Sequence, residues 1–188
     1  MTELLYKSEH LSCINYEHDT ETRILEEKID SGSSFFITAQ VNKIIIVTEN
    51  AITISSDTIT PTLVKSNFMF FVAAGKNVEM SSGKKSAKVL IINLFERISL
   101  CDNFPLEDLF KKTDNPPKGQ LSNTYTLVSH FHPLKMNTVA KSYLDLLLHC
   151  HRLGLKCCNY HKGKINELLF ILRAFYSKEE LAAFFLLP

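Results

Sequence analysis

Tryptophan is absent from this chain of 188 residues, and glycine and proline number only six each. The glycines are scattered, so no G-x-G-x-x-G or Walker segment exists to cradle phosphate. That excludes dinucleotide and P-loop chemistry and disfavours a cyclic-nucleotide sensor. A Gly-x-Ser-x-Gly elbow is missing too, which leaves nucleophilic catalysis of the esterase kind without support. Neither sign of charge prevails: 21 basic against 20 acidic residues give a net charge of +1. A chain that gripped nucleic acid by itself would carry a basic excess on one face, so direct DNA contact is not expected of these residues. Five cysteines at irregular spacing argue against a secreted disulfide framework. No apolar run approaches the roughly 18 residues of a membrane span. Met1 to Lys7 is mixed, with no apolar stretch behind it, so a signal peptide is not expected and the chain reads as cytoplasmic.

What is present is apolar and aromatic: 45% hydrophobic residues, with 13 Phe, are ample for a packed core. From Ile24 to Phe95 the chain reads as short strands divided by turns. Ile24–Ile29 precedes the turn Asp30-Ser31-Gly32-Ser33, and Phe35–Val41, Ile44–Thr48 and Ala51–Ser55 follow. Leu63-Val64 and Phe68–Ala73 come next, and the polar tip Ser81–Lys85 reverses the chain into Ala87–Phe95. Eight or so strands without an intervening helix predict an antiparallel barrel or jelly roll. Inward side chains among Phe35, Phe36, Phe68, Phe70 and Phe71 would form its core, and the outward ones need a cover.

That cover is expected from the C-terminal part. Leu106–Phe110 fits a helical turn after Pro105, and Asp114–Gly119 is a linker that Pro116-Pro117 keeps out of helix. Thr138–Leu153 has helical periodicity and ends at Gly154, a C′ glycine. Its apolar face carries Ala140, Tyr143, Leu144, Leu147 and His151, widened by Leu146, Leu148 and Cys150. From Lys164, the residues Ile165, Leu168, Leu169, Leu172, Phe175 and Tyr176 make a second stripe. Ser177 stands three residues before Glu180, a capping box that restarts a short helix with Leu181, Phe184 and Phe185 as its buried side. The apolar ending Phe-Phe-Leu-Leu-Pro reads as the cut edge of something longer. The expected division is a barrel over 1–113, a linker over 114–136 and a helical segment over 137–188.

The run Glu167-Leu168-Leu169-Phe170, with Leu172–Ala182 and Phe184-Phe185, resembles the region joining sensor to DNA-binding domain in AraC-type regulators of the Bacteroides group. Phe95-Glu96-Arg97-Ile98 and Cys101–Leu109 are similar to the stretch where that family leaves its barrel, and Cys158-x-x-His161 is a third match. Order and spacing fit over roughly residues 20 to 188. The resemblance implies a cupin-like sensor barrel, helices that pack on it and pair two subunits, and a helix-turn-helix domain that would follow Pro188. It also implies that Arg97 and Asp102 fix chain geometry at the barrel exit.

Candidate chemistry is sparse. A metal cupin needs His-x-His on one strand and a further His later, yet no His lies between Ile24 and Phe95. His130-Phe131-His132 has the spacing but precedes Pro133, outside the barrel strands. His149, Cys150, His151, Cys157, Cys158 and His161 form the richest cluster. Zinc would want four of them in a tetrahedron, and plain core or loop residues are favoured over that. No catalytic residue, metal or cofactor is therefore expected. The expected function is the effector-sensing and dimerisation part of such a regulator: a homodimer that binds an unidentified small molecule and reaches DNA only through the further domain. The ligand would sit in the barrel mouth among strands starting at Ile24, Phe35, Ile44 and Phe68. Tyr143, Leu144, Leu147 and Leu148, or the Ile165–Phe175 stripe, would form the subunit seam. The same stripe is equally what a monomer uses to cover its own barrel, and both readings stay open. The alternatives are a stand-alone cupin-like binding protein and a small cupin enzyme.

Overall fold

The structure, a computed structural model, describes Cys13, Tyr16 and residues 22–57, 59–101, 104–110 and 131–185. Its strands are β1 (Ile24–Ile29), β2 (Ser34–Thr38), β3 (Asn42–Glu49), β4 (Ala51–Ser55), β5 (Thr62–Lys65), β6 (Phe68–Val72), β7 (Asn77–Ser82) and β8 (Ala87–Leu94). Short strands β9 (Ser99–Cys101), β10 (Phe104–Pro105) and β11 (Leu134–Lys135) follow, with a 3-10 turn at Leu106–Leu109. The helices are α1 (Thr138–Arg152), α2 (Cys158–Phe175) and α3 (Lys178–Phe185).

One sheet has the order β1-β8-β3-β6-β11 and the other β2-β7-β4-β5, all antiparallel. Without β11 these are the two interleaved Greek keys of an eight-stranded jelly roll. The chain crosses from the first sheet to the second at Asn50 and returns at Asn67, both left-handed at φ 59° and 65°. Asn tolerates this region because its short polar side chain bonds locally. Asn50 Nδ2 donates to the Ser86 carbonyl at 2.7 Å. The two corners are tied together by Ser66 N–H to Asn50 O at 2.7 Å and Asn67 N–H to Val47 O at 2.9 Å.

Burial follows the patterning. In β3 the run Ile44–Val47, and in β8 the run Val89–Ile92, is buried throughout, as a sheet covered on both faces requires. Ile45, Val47, Phe70, Val72, Val89 and Ile91 face the second sheet's Ile52, Ile54, Val64, Val78 and Met80. Ile44, Ile46, Met69, Phe71, Leu90 and Ile92 point the other way and meet all three helices in a second cluster. The helices are thus the cover that the outward strand residues called for. Phe71 shows it directly, with its ring 6.4 and 5.2 Å from those of Phe184 and Phe185. The second sheet alternates buried with partly exposed residues because its outer side meets solvent.

Helix ends obey local rules. Asn137 caps α1 by accepting from Ala140 N–H at 2.9 Å, and Gly154 follows α1 at φ 92°. In the predicted capping box, Glu180 accepts from Ser177 N–H at 2.8 Å and Ser177 Oγ from Glu180 N–H at 3.1 Å. Three details differ from expectation. α2 begins at Cys158 rather than near Lys164, Ser81 and Ser82 belong to β7 rather than to a turn, and Leu134–Lys135 adds a short strand beside β6.

Candidate functional site

The expected ligand space lies between the sheets, and side chains fill it. Ile29, Ile37, Ile45, Ile52, Phe70 and Met80 are at most 8% exposed there. Phe131 adds its ring edge-on to Phe70 at 5.4 Å. An eight-stranded barrel has an interior just wide enough for such filling. The described strands expected to form the mouth thus contribute their inward residues to this core.

A cavity of about 450 Å³ lies elsewhere, across β2, β7 and the end of β4, lined by Phe36, Ile37, Thr38, Ser55, Ser56, Asp57, Asn77, Val78 and Glu79. Cross-strand register makes it: Phe36 pairs with Glu79, Glu79 with Ser55, and Thr38 with Asn77. These residues share the parity that points away from the core, so Phe36 stands 71% exposed in a polar face. Ser55 Oγ donates to Glu79 Oε2 at 3.4 Å. The loop carrying Asp57 is held by Ser56 N–H to Ile59 O at 3.1 Å and Ile59 N–H to Ser56 Oγ at 3.0 Å. Chemically this is a shallow receptor: one aromatic face, two carboxylates, an amide and hydroxyls. Nothing in the sequence pattern singles out Glu79, and Phe36 reads there only as core or covered surface. Its parity against Ile37 was the signal that could have placed it outside.

The helical candidates cluster at the far side. Tyr143, Leu144, Leu147 and Leu148 are at most 7% exposed, and all four lie within the chain's own cluster with Ile165, Leu168 and Leu172. Burial pushes the Tyr143 phenol well above its ordinary range, and its hydroxyl donates to the Lys164 carbonyl at 2.7 Å. On α1 the apolar side chains left exposed are Val139 and Leu146.

His161 is fully buried, 6.1 Å from the His151 ring and 5.7 Å from that of Tyr160. Burial, then the neighbouring Cys150 thiol, raises the Tyr160 phenol. Cys158 Sγ instead faces Arg23, whose Nε donates to it at 3.2 Å while the same guanidinium pairs with Glu96 at 2.9 Å. None of the five cysteines is in a disulfide, and no group of three or more His, Cys, Asp or Glu side chains assembles as a metal-binding set among the described residues. Arg97 pairs with Glu107 at 2.9 Å across the barrel exit, a bond between chain segments. Asp102 and His130 lie outside the described residues. No helix of the described chain is long and apolar enough to cross a membrane.

No protein-family model matches the chain, and no curated protein matches it. Solved structures do. One is a cupin superfamily protein from Desulfitobacterium hafniense DCB-2, 17% identical, with a TM-score of 0.37 over 43% of this chain and 74% of that one. The polyketide cyclase RemF from Streptomyces resistomycificus is 17% identical, with a TM-score of 0.36 over 42% of this chain. A cupin-2 domain containing protein from Shewanella frigidimarina is 14% identical, with a TM-score of 0.34 over 41% of this chain and 74% of that one. The chain spans little more than half of the cyclase's own length, 58%. These overlaps are partial, and the strand order carries the fold by itself: an antiparallel jelly roll followed by three helices.

Proposed function

We propose that the chain is a small-molecule-binding module that passes ligand state from its jelly roll to its helices. More finely, we read it as the effector-sensing and dimerisation part of an AraC-type transcriptional regulator. The observation that carries the reading is the shared sheet β1-β8-β3-β6, with the barrel core on one face and the helices on the other. A ligand that prefers one arrangement of the barrel can bias the helices only through contacts that differ between two states. Close-packed layers supply such contacts, since a shift on one face of a sheet displaces its other face. The finer part rests on the sequence resemblance. In it, two copies associate through the helices, and DNA is reached through a further domain. With Tyr143, Leu144, Leu147 and Leu148 buried in the chain's own cluster of strand and helix residues, a seam on α1 would also draw on the exposed Val139 and Leu146.

The test is a thermal-shift screen of small molecules on the chain, followed by hydrogen exchange with the best binder. A ligand that binds only the folded state must raise the melting temperature. Changed protection in α1 to α3 as well as in β2 and β7 is the expected result. A footprint confined to the sheets would leave the second reading, a stand-alone cupin-like binding protein, and remove the sensor. Monomeric behaviour by sedimentation at tens of micromolar, with and without ligand, would remove the dimer. Reading the gene beyond the codon for Pro188 tests the regulator directly, through the presence or absence of two helix-turn-helix patterns.

A further inference from the structure

We infer that the groove on the outer face of β2, β7 and β4 is a site for a small organic cation, an alkylammonium head group. Phe36 offers the aromatic face, and Glu79 and Asp57 offer the counter-charge. The inference rests on reading the chain as a small-molecule-binding module and names the ligand class of that module.

Three observations converge on a cation. First, among the described residues Phe36 is the most exposed of the large apolar side chains, at 71%, and its nearest neighbours on that face include Ser34, Thr38, Ser55 and Ser81, with Leu63 of β5 farther across the sheet. A single exposed apolar residue is ordinary by itself. Here, however, the ring borders a concave space of about 450 Å³, within the range of small-ligand pockets. Second, antiparallel register sets Glu79 directly beside Phe36. Directly opposed Cβ atoms lie about 5 Å apart, so one ammonium can meet both the ring and the carboxylate. The Ser55 hydroxyl donates to that carboxylate, and Asp57 lines the groove next to Ser56, which is hydrogen-bonded to Ile59.

Third, among the described residues no Lys or Arg pairs with the carboxylates of the groove. Among the described residues, Glu26, Asp30, Glu49, Glu96, Glu107 and Glu167 each pair with a Lys or Arg within 3.6 Å or closer, whereas Glu79 and Asp57 enter none of these pairs. Among the described residues no Lys or Arg lines the groove. A phosphate or carboxylate ligand would meet repulsion there, and an uncharged one would gain ring contact and hydrogen bonds but no Coulomb attraction to Glu79 and Asp57. A cation gains from ring and carboxylates together.

The experiment titrates the purified chain with choline and with its uncharged carbon isostere, dimethylbutanol, following amide shifts by NMR. Choline is expected to saturate, with shifts centred on β2, β7 and the Asp57 loop, and the isostere to bind about tenfold more weakly or not at all. Glu79→Gln and Phe36→Leu should each weaken choline severalfold with the melting temperature nearly unchanged, because both side chains lie on the surface. Added salt should weaken choline and leave the isostere indifferent. Equal binding of the two probes, or choline shifts away from the groove, would overturn the cation. So would an uncharged polyol from the screen that binds at Phe36 while choline is silent, an outcome that keeps the module and removes only its ligand class. Silence of choline together with every compound of the screen would remove both.

Discussion

Ser177 and Glu180 exchange hydrogen bonds with each other's amides, and the bond at 2.8 Å and that at 3.1 Å fix where α3 starts. Two orphan N–H groups are satisfied by residues three apart, so the motif was readable without knowing anything distant. Ser177→Ala should cost about 1 kcal/mol, read as a lower urea midpoint with an unchanged slope. A neutral outcome would mean that packing of Leu181, Phe184 and Phe185 alone sets the helix start. Charge gives a second residue-scale expectation. Glu26 accepts from Arg152 Nε at 3.1 Å and from a second guanidinium nitrogen. That guanidinium holds the carboxyl below its usual range in spite of partial burial. A value depressed by folding contributes stability that is complete above the unfolded value, about 4.3 for Glu, and disappears as pH falls through the folded one. The pair is half exposed on the Arg side, so the contribution is at most about 1 kcal/mol. Stability should therefore fall on acidification below about pH 5, and Arg152→Ala should flatten that limb in pH-dependent urea titrations. An unchanged limb would assign the acid sensitivity to other carboxylates.

At the scale of elements, the sheet β1-β8-β3-β6 explains both what the sequence revealed and what it hid. Ile44–Val47 and Val89–Ile92 are continuous apolar runs because each successive side chain enters a different core. Phe71 reaches the helical one. Phe71→Ala should cost about 3–5 kcal/mol and raise exchange first in α3, whose Phe184 and Phe185 lose their ring partner. A loss spread evenly over both sheets would instead mean that the helices add little to the sheet. Strand existence was legible from alternation, but two boundaries were not. The N-cap of α2 is Cys157, which makes no side-chain capping bond, so nothing in the sequence marked a helix start before Lys164. β11 is two residues long and exists only because Leu134 and Lys135 meet Met69 and Phe68. The groove was hidden for a related reason. Phe36 and Glu79 lie far apart in sequence, and register alone makes them neighbours.

For the molecule as a whole, the consequential feature is that one sheet belongs to two cores. Strand residues Ile44, Ile46, Leu90 and Ile92 share a cluster with Leu147, Leu168 and Phe184 of the three helices. Further ties cross the same boundary. Arg23 joins Cys158, Glu26 joins Arg152, and the Tyr176 hydroxyl accepts from Asn137 N–H at 2.9 Å and donates to the Lys135 carbonyl at 3.0 Å. Removing the helices would expose the face of Ile44, Ile46, Phe71 and Ile92, an apolar area a lone jelly roll could not leave in water without loss. Barrel and helices should accordingly unfold in one transition, although the linker and the change of periodicity suggested two units. Far-UV circular dichroism at a helical wavelength and exchange of β2 and β7 amides, both against urea, would be coincident. Helical signal lost at lower urea while those strand amides stay protected would mean that the helices dock weakly. Weak docking would also remove the route from the groove to the helices, because a layer that detaches independently cannot carry a bias imposed on the opposite sheet.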